Sequence, residues 1–124
     1  MEQTSAIESL AALAQETRLA AFRLLVEVGR EGMPAGEVAR LLGVPHNTMS
    51  THLAILTRAG LVTAQRDSRR MIHAARLEGL AELMGFLLRD CCGGRPELCA
   101  PLLAAALPDP QRSAPCCPDT RILA

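Results

Sequence analysis

The sequence predicts a mainly α-helical domain with one small β-hairpin. The chain has 124 residues, which is the usual size of a single domain. Hydrophobic residues make up 49% of it but aromatic residues only 2%, so the core must be built from Leu, Ala, Val, Ile and Met. That composition favours helices over a β-sandwich. Apolar residues recur at helical spacing in five stretches, and a short β-rich segment separates the fourth stretch from the fifth.

Three of the predicted helices lie toward the ends of the chain. The first covers residues 5–15, and its apolar face consists of Ile7, Leu10, Leu13 and Ala14. The second covers residues 17–28, and its predicted core residues are Leu19, Phe22, Leu25 and Val26. The last covers residues 77–91, and its wide apolar face consists of Leu80, Leu83, Met84, Leu87 and Leu88, with Cys91 continuing the stripe.

The central stretch covers residues 45–60. Met49, Leu53 and Leu56 are spaced four and three residues apart, which predicts one buried stripe on a helix. Gly60 is predicted to end this helix because glycine takes a positive φ without steric cost. The other face carries short polar side chains, which suit base edges in a DNA major groove. The predicted DNA-contacting residues of this helix are His46, Asn47, Thr48, Ser50, Thr51 and His52.

The histidines also have plainer interpretations. His52 fits a packing or phosphate-facing position better than a metal site, and His73 is expected on the surface of a strand. A short helix over residues 34–42, with Val38, Leu41 and Leu42 inward, precedes the central stretch, and a glycine breaks it. Two helices joined by a tight glycine-containing turn form a helix-turn-helix unit.

A basic hairpin follows the helix-turn-helix. Its predicted turn carries Arg66, Arg69 and Arg70, so the pattern indicates a winged helix-turn-helix, although an amphipathic helix plus hairpin is the plainer interpretation of this half alone. The formal net charge of the chain is zero, yet residues 45–76 hold five arginines and one aspartate. A basic stripe on an otherwise acidic chain is typical of a DNA-binding surface.

The stretch GEVARLLGVPHNTMSTHLAILTRAGLV resembles the helix-turn-helix of the ArsR/SmtB family of arsenical- and metal-responsive repressors, and LAQETRLAAFRLL resembles the opening helix of that family. The matching residues of the first stretch are Val38, Ala39, Leu42, Gly43, Ser50, His52, Leu53, Leu56, Ala59, Gly60, Leu61 and Val62. The resemblance covers roughly residues 8–90. It implies a homodimer that pairs its first and last helices across a two-fold axis and represses by binding operator double-stranded DNA. Pro45 departs from the family, which usually has Ser or Thr there, and the hairpin turn lacks the usual glycine.

All five cysteines follow residue 90. Cys91 and Cys92 stand at a predicted helix end, and a Gly-Gly turn lets the chain fold back toward Cys99. Three thiolates without a fourth ligand suit a trigonal ion such as As(III) or Sb(III), since thiolate is a soft ligand. We therefore predict a metalloid site at Cys91, Cys92 and Cys99, with Cys116 and Cys117 as an accessory metal site and no organic cofactor.

Other uses of these thiols stay open. A redox-sensing repressor of the same fold would oxidise the adjacent pair with Cys99. Zinc, cadmium or copper are further candidates, although structural zinc usually takes four ligands in a different spacing. A small thiol enzyme in arsenic handling is disfavoured because the cysteines follow a helix C-terminus, where the dipole disfavours thiolate. We find no phosphate loop and no Ser/His/Asp set, so an enzyme is not expected.

One domain and a C-terminal tail are predicted from this pattern. Residues 1–92 would form the DNA-binding and dimerisation domain, and residues 93–124 a Cys- and Pro-rich tail that is partly disordered. No apolar run approaches the length of about 18 residues that suggests a membrane span. The acidic N-terminus is unlike a signal peptide, so we expect a cytoplasmic protein with reduced cysteines.

Overall fold

The computed structural model describes residues 1–90, with the side chains of residues 89 and 90 excepted, and residues 101 and 105. The chain divides into two compact units, Met1–Phe86 and Leu87–Ala124. The elements are α1 (Gln3–Leu13), α2 (Glu16–Val28), β1 (Met33–Pro34), α3 (Ala35–Leu42), α4 (His46–Arg58), β2 (Val62–Asp67), β3 (Arg70–Ala75), α5 (Leu77–Gly85) and a π-helical turn, Phe86–Asp90. The predicted mainly helical fold with a β-hairpin is confirmed, whereas the predicted tail and its boundary stay predictions.

The sheet has three strands rather than the two that the sequence predicts. β2 and β3 form an antiparallel hairpin in register from Val62 opposite Ala75 to Asp67 opposite Arg70. β1 pairs antiparallel with the other edge of β3, which gives the order β1-β3-β2. This short strand connects the segment before α3 to the wing.

Gly32 makes the approach of β1 to β3 possible. Its φ is +67°, and a Cβ there would lie 2.4 Å from the backbone oxygen of His73 and 2.9 Å from Ile72 Cγ2. Only glycine tolerates both the backbone conformation and the contact. The segment between α2 and α3 therefore contains a glycine that the sheet requires.

The core lies between α2, α3, α4 and the start of β2. Met49, Leu53 and Leu56 are all fully buried, which confirms the predicted inner stripe of α4. Phe22 and Leu25 of α2 face them, as predicted. The largest fully buried hydrophobic side chains are Leu25, Met49, Leu53, Leu56, Leu61, Val38 and Val62.

Two residues predicted to face inward are exposed instead. Leu19 of α2 is 43% exposed and Leu41 of α3 is 49% exposed, so both assignments are wrong. The inner faces of these helices use Ala21 and Ala39, which are small enough to let the helix backbones approach closely. α1 follows the same rule, because its buried residues are Ala6, Ser9 and Ala12.

The last predicted helix is not one continuous α-helix. α5 ends at Gly85, and the next five residues form a π-helical turn. Hydrogen bonds in a π-helix join residues five apart rather than four, so the α-helical phase is not kept from Leu83 to Leu87. The continuation of this apolar stripe to Cys91 stays a prediction. Cys91 itself lies outside the described residues.

Candidate nucleic-acid interface

The turn between α3 and α4 sets the angle of the helix-turn-helix. Gly43 takes φ +66° and ψ 35°, and the Val44 N–H donates to the Ala39 carbonyl oxygen at 3.0 Å. This left-handed glycine terminates α3. Pro45 then stands before α4 with φ −58° and no side-chain cap bond, and its ring holds the chain in an extended entry to the helix.

The outer face of α4 is polar and exposed. His46, Asn47, Thr48, Ser50 and Thr51 all lie on the exposed side of the buried stripe. The Thr51 hydroxyl donates to the Asn47 carbonyl oxygen at 3.2 Å, which leaves the threonine methyl group as its contact surface. Five of the six predicted DNA-contacting residues of this helix thus share one accessible surface.

His52 is the exception in this set. Its side chain is half-buried, and its Nδ1 lies 3.3 Å from Arg18 Nη1 of α2. Arg18 Nε in turn donates to the Ala12 carbonyl oxygen at 2.7 Å. The structure therefore places His52 at the contact of α4 with α2, as in the packing interpretation, and apart from the exposed polar face.

The wing ends in a two-residue turn, Ser68 and Arg69, between the closing pair Asp67 and Arg70. Ser68 has φ +58°, in the left-handed region where glycine is usual. Arg66 Nε donates to the Ser68 carbonyl oxygen at 3.3 Å, which holds its guanidinium toward the tip. The predicted wing arginines 66, 69 and 70 are all exposed, so three cations surround the tip.

The two other arginines of the basic segment differ in use. Arg76 Nη1 donates to the Gly60 carbonyl oxygen at 3.1 Å, and its Nη2 lies 3.4 Å from Glu82 Oε1. Its guanidinium therefore connects the end of α4 to α5. Arg58 is exposed at the end of α4, on the helix side that also carries Asn47 and Thr51. Arg58 follows Asn47 by eleven residues, which is about three helical turns and places both on one side of the helix. That spacing could have added Arg58 to the predicted DNA-contacting residues.

The C-terminal end of α4 confirms the predicted glycine cap. Gly60 takes φ +81°, its N–H donates to the Thr57 carbonyl, and the Leu61 N–H donates to the Leu56 carbonyl, each at 3.0 Å. This pair of bonds is a Schellman motif, and both leucines are fully buried behind it. The end of α4, the second helix of the helix-turn-helix, is thereby fixed to β2, the first strand of the wing.

His73 is not the simple strand-surface residue that the sequence suggests. Its side chain is half-buried, and within the described part of the chain its Nδ1 is buried without a hydrogen-bond partner. Burial lowers the pKa of His73 because it disfavours the charged imidazolium. The ring is therefore neutral at physiological pH.

The predicted metalloid ligands Cys91, Cys92 and Cys99, with Cys116 and Cys117, lie outside the described residues. Within those residues, no three His, Cys, Asp or Glu side chains are grouped so that they could hold a metal ion. None of the described helices has both the length and the apolar character that crossing a bilayer requires.

A helix-turn-helix with an exposed polar second helix and an arginine-tipped hairpin defines a DNA-binding protein of the winged-helix class. A family model described as a helix-turn-helix domain matches residues 13–65. The HTH-type transcriptional regulator YgaV of Escherichia coli (strain K12) is 31% identical over 91 residues, which are 73% of this chain and 88% of YgaV.

Solved structures similar to this chain are also transcriptional regulators. An ArsR-like transcriptional regulator from Rhodococcus sp. RHA1 superposes with a TM-score of 0.64 at 27% identity, covering 83% of this chain and 93% of that one. A possible transcriptional regulator for arsenical resistance superposes with a TM-score of 0.57 at 27% identity, covering 82% and 98%. This chain belongs to the ArsR-like winged-helix family of transcriptional regulators. Its relatives are regulators and not enzymes, which confirms the prediction that it has no catalytic function.

Proposed function

We propose that this chain is a cytoplasmic homodimeric repressor that leaves its operator DNA when As(III) or Sb(III) binds to Cys91, Cys92 and Cys99. The observation that carries the DNA-binding part is the exposed polar face of α4 beside three wing arginines. In this proposal α4 enters the major groove, and the wing lies along the phosphate backbone next to it.

The proposed dimer accounts for apolar side chains that a single chain leaves in water. Ile7 and Leu10 of α1 are 55% and 43% exposed, and Leu77 and Met84 of α5 are 55% and 40% exposed. These are the first and last helices, which the family resemblance pairs across a two-fold axis. Burying such side chains between two chains is favourable by about 25 cal/mol per Å² of apolar area. A two-fold dimer would read an inverted repeat with half-sites about one helical turn apart.

The proposed inducer site is supported by the chemistry and spacing of the cysteines and by the likeness to a possible regulator for arsenical resistance. Three thiolates can bind a trivalent metalloid without a fourth protein ligand. Cys116 and Cys117 at most bind a second ion in this proposal. Coupling on the order of 1–3 kcal/mol between the thiol site and DNA would suffice for release.

The DNA part is tested by fluorescence anisotropy with a duplex from the region upstream of the gene. Replacing Arg69 and Arg70 by Ala should weaken binding to all sequences and reduce the salt dependence by about one unit for each lost phosphate contact. Asn47→Ala should instead reduce the preference for this duplex over random DNA. Arg23→Ala, at an exposed position of α2, is the control that should bind normally. If no duplex competes better than random sequence, the repressor proposal fails.

The inducer part is tested with arsenite in the same assay. Single Ser variants at Cys91, Cys92 and Cys99 should still bind DNA but should no longer release it. The double Ser variant at Cys116 and Cys117 is the matched control and should release normally. Loss of the arsenite response in that control would show that the inducer site is wrongly assigned. Release by peroxide but not by arsenite would favour the redox-sensing alternative.

A further inference from the structure

An open groove separates α1 and the start of α2 from the C-terminal half of α4. Its volume is about 350 Å³, which is within the range of about 300–1,000 Å³ that small-molecule sites occupy. Three alanines and one isoleucine form its apolar part: Ala11, Ala12, Ile55 and Ala59. The groove exists because small side chains stand where α1 passes α4. We call it the α1–α4 groove.

Arg18 lines this groove in a fixed orientation. Its Nε donates to the Ala12 carbonyl oxygen at 2.7 Å, and its Nη1 lies 3.3 Å from His52 Nδ1. The Arg18 backbone N–H is capped by Gln15 Oε1 at 2.8 Å. A guanidinium has five N–H donors, so further donors are left for a ligand. Because neighbouring bonds already orient the group, little conformational entropy is lost on binding.

The charges of the α1–α4 groove are unbalanced. Arg18 and Arg58 line it together with a single carboxylate, Glu8. Within the described part of the chain, the ion pairs join Arg40 to Glu37 and Arg76 to Glu82. Neither guanidinium of the groove is paired with Glu8 or with another described carboxylate. Two cations beside an apolar surface therefore lack an anionic partner in the described fold.

We propose that the α1–α4 groove binds a small organic monocarboxylate with an apolar body. The carboxylate would accept charge-assisted hydrogen bonds from Arg18 and Arg58, while the apolar body would cover the alanines and Ile55. Glu8 at the same groove disfavours ligands with a second negative charge, which selects monoanions. This site uses none of the cysteines and is separate from the proposed thiol site.

The location of the groove gives the ligand a route to DNA binding, a consequence that rests on the proposed function. Ile55 and Arg58 belong to α4, and Ala59 is the residue that caps its C-terminal end. Arg58 lies on the side of that helix that also carries Asn47. A carboxylate bound to Arg58 neutralises a cation at the proposed DNA surface. Operator DNA and carboxylate should therefore weaken each other's binding by the same factor.

The binding itself is tested without DNA, by titrating the full-length protein with sodium benzoate in methyl NMR. The methyl signals of Ile55, Ala11 and Ala59 should shift and saturate. Benzamide has the same shape without the charge, and it should bind about tenfold more weakly because charge-assisted hydrogen bonds are lost. Equal binding of benzamide and benzoate would overturn the carboxylate assignment.

Variants test the location. Arg58→Gln should weaken benzoate binding several-fold, and Ala11→Leu should abolish it by filling the groove with a residue that favours helix. Arg23→Gln, which removes a cation elsewhere on the surface, should bind benzoate normally. Unchanged binding in Ala11→Leu would refute the site. Cys91→Ser, which removes a proposed arsenite ligand, should still bind benzoate. Failure of the arsenite proposal can therefore be told apart from failure of the carboxylate site.

Discussion

Replacing Gly79 by alanine tests the contact that fixes the start of α5 on the end of α4. A Cβ at this position would lie 2.0 Å from the Gly60 carbonyl oxygen and 3.1 Å from Arg76 Nη1. Since carbon and oxygen normally approach to about 3.3 Å at closest, the backbone must shift by roughly 1 Å. Overpacking of this kind costs about 1–3 kcal/mol, and the higher helix propensity of alanine returns up to about 1 kcal/mol. We expect a net loss of about 1–2 kcal/mol in the free energy of unfolding.

Urea unfolding followed by circular dichroism measures this loss. Gly36→Ala is the matched control, because Gly36 also lies in the first turn of a helix but its Cβ would meet nothing closer than 3.8 Å. That variant should be as stable as the wild type or slightly more stable. Protein concentration must be held constant, since the proposed dimerisation would make apparent stability depend on it. Equal midpoints for the two alanine variants would refute the argument that the Gly79 contact is tight.

Three further changes have expected outcomes. Ser68 has φ +58°, so Ser68→Gly should raise the free energy of unfolding by up to about 1 kcal/mol, whereas the β-branched Ser68→Val should lower it in the same urea assay. Burial lowers the pKa of His73 below 6.5, so the unfolded chain binds this proton first as the pH falls. The stability that the neutral ring contributes is therefore present above pH 6.5 and is lost as the pH falls below it. The urea midpoint of the wild type should fall between about pH 7.5 and 5.5, and that of His73→Gln should fall less. Replacing both Ile7 and Leu10 by Glu should disrupt the proposed dimer and give monomers in sedimentation velocity, whereas Leu41→Glu, at an equally exposed position, should leave the proposed dimer intact.

The sequence predicts α4 well because both sides of this helix obey simple rules. Its inner stripe of Met49, Leu53 and Leu56 follows helical periodicity, and Gly60 marks its end. The polar outer face follows directly from that stripe. Periodicity is less informative for α1, because a large apolar residue that faces a partner chain has the same spacing as one that faces its own core. Ile7 and Leu10 are exposed in the single chain, although the pattern alone marks them as an apolar face.

Other features depend on contacts between distant residues and could not be predicted locally. β1 has only two residues, and its pairing with β3 joins Met33 to His73. The contact between Arg18 and His52 spans 34 positions, so nothing near His52 in the sequence indicates that it faces α2. The π-helical turn after Gly85 could not be predicted either, because five residues show no spacing of apolar residues that tells a π-helix from an α-helix. The conformation of the wing turn could not be predicted locally either, because Ser68 occupies a left-handed position that glycine usually takes.

The C-terminal end of α4 is the point at which these separate features meet. Ser9 of α1 donates to the Ala59 carbonyl oxygen at 3.3 Å, and the Arg76 backbone N–H donates to the Leu61 carbonyl at 2.8 Å. α5 begins directly after Arg76, and its Gly79 approaches the backbone of Gly60 too closely to admit a side chain. A tilt of α5 therefore acts directly on the backbone at the end of α4, because Gly79 meets Gly60 without a side chain of its own. A tilt of α1 acts on the same end through the short Ser9 hydroxyl. If the proposed dimer is formed by α1 and α5, any ligand that changes the angle between subunits must also change the position of α4 on DNA.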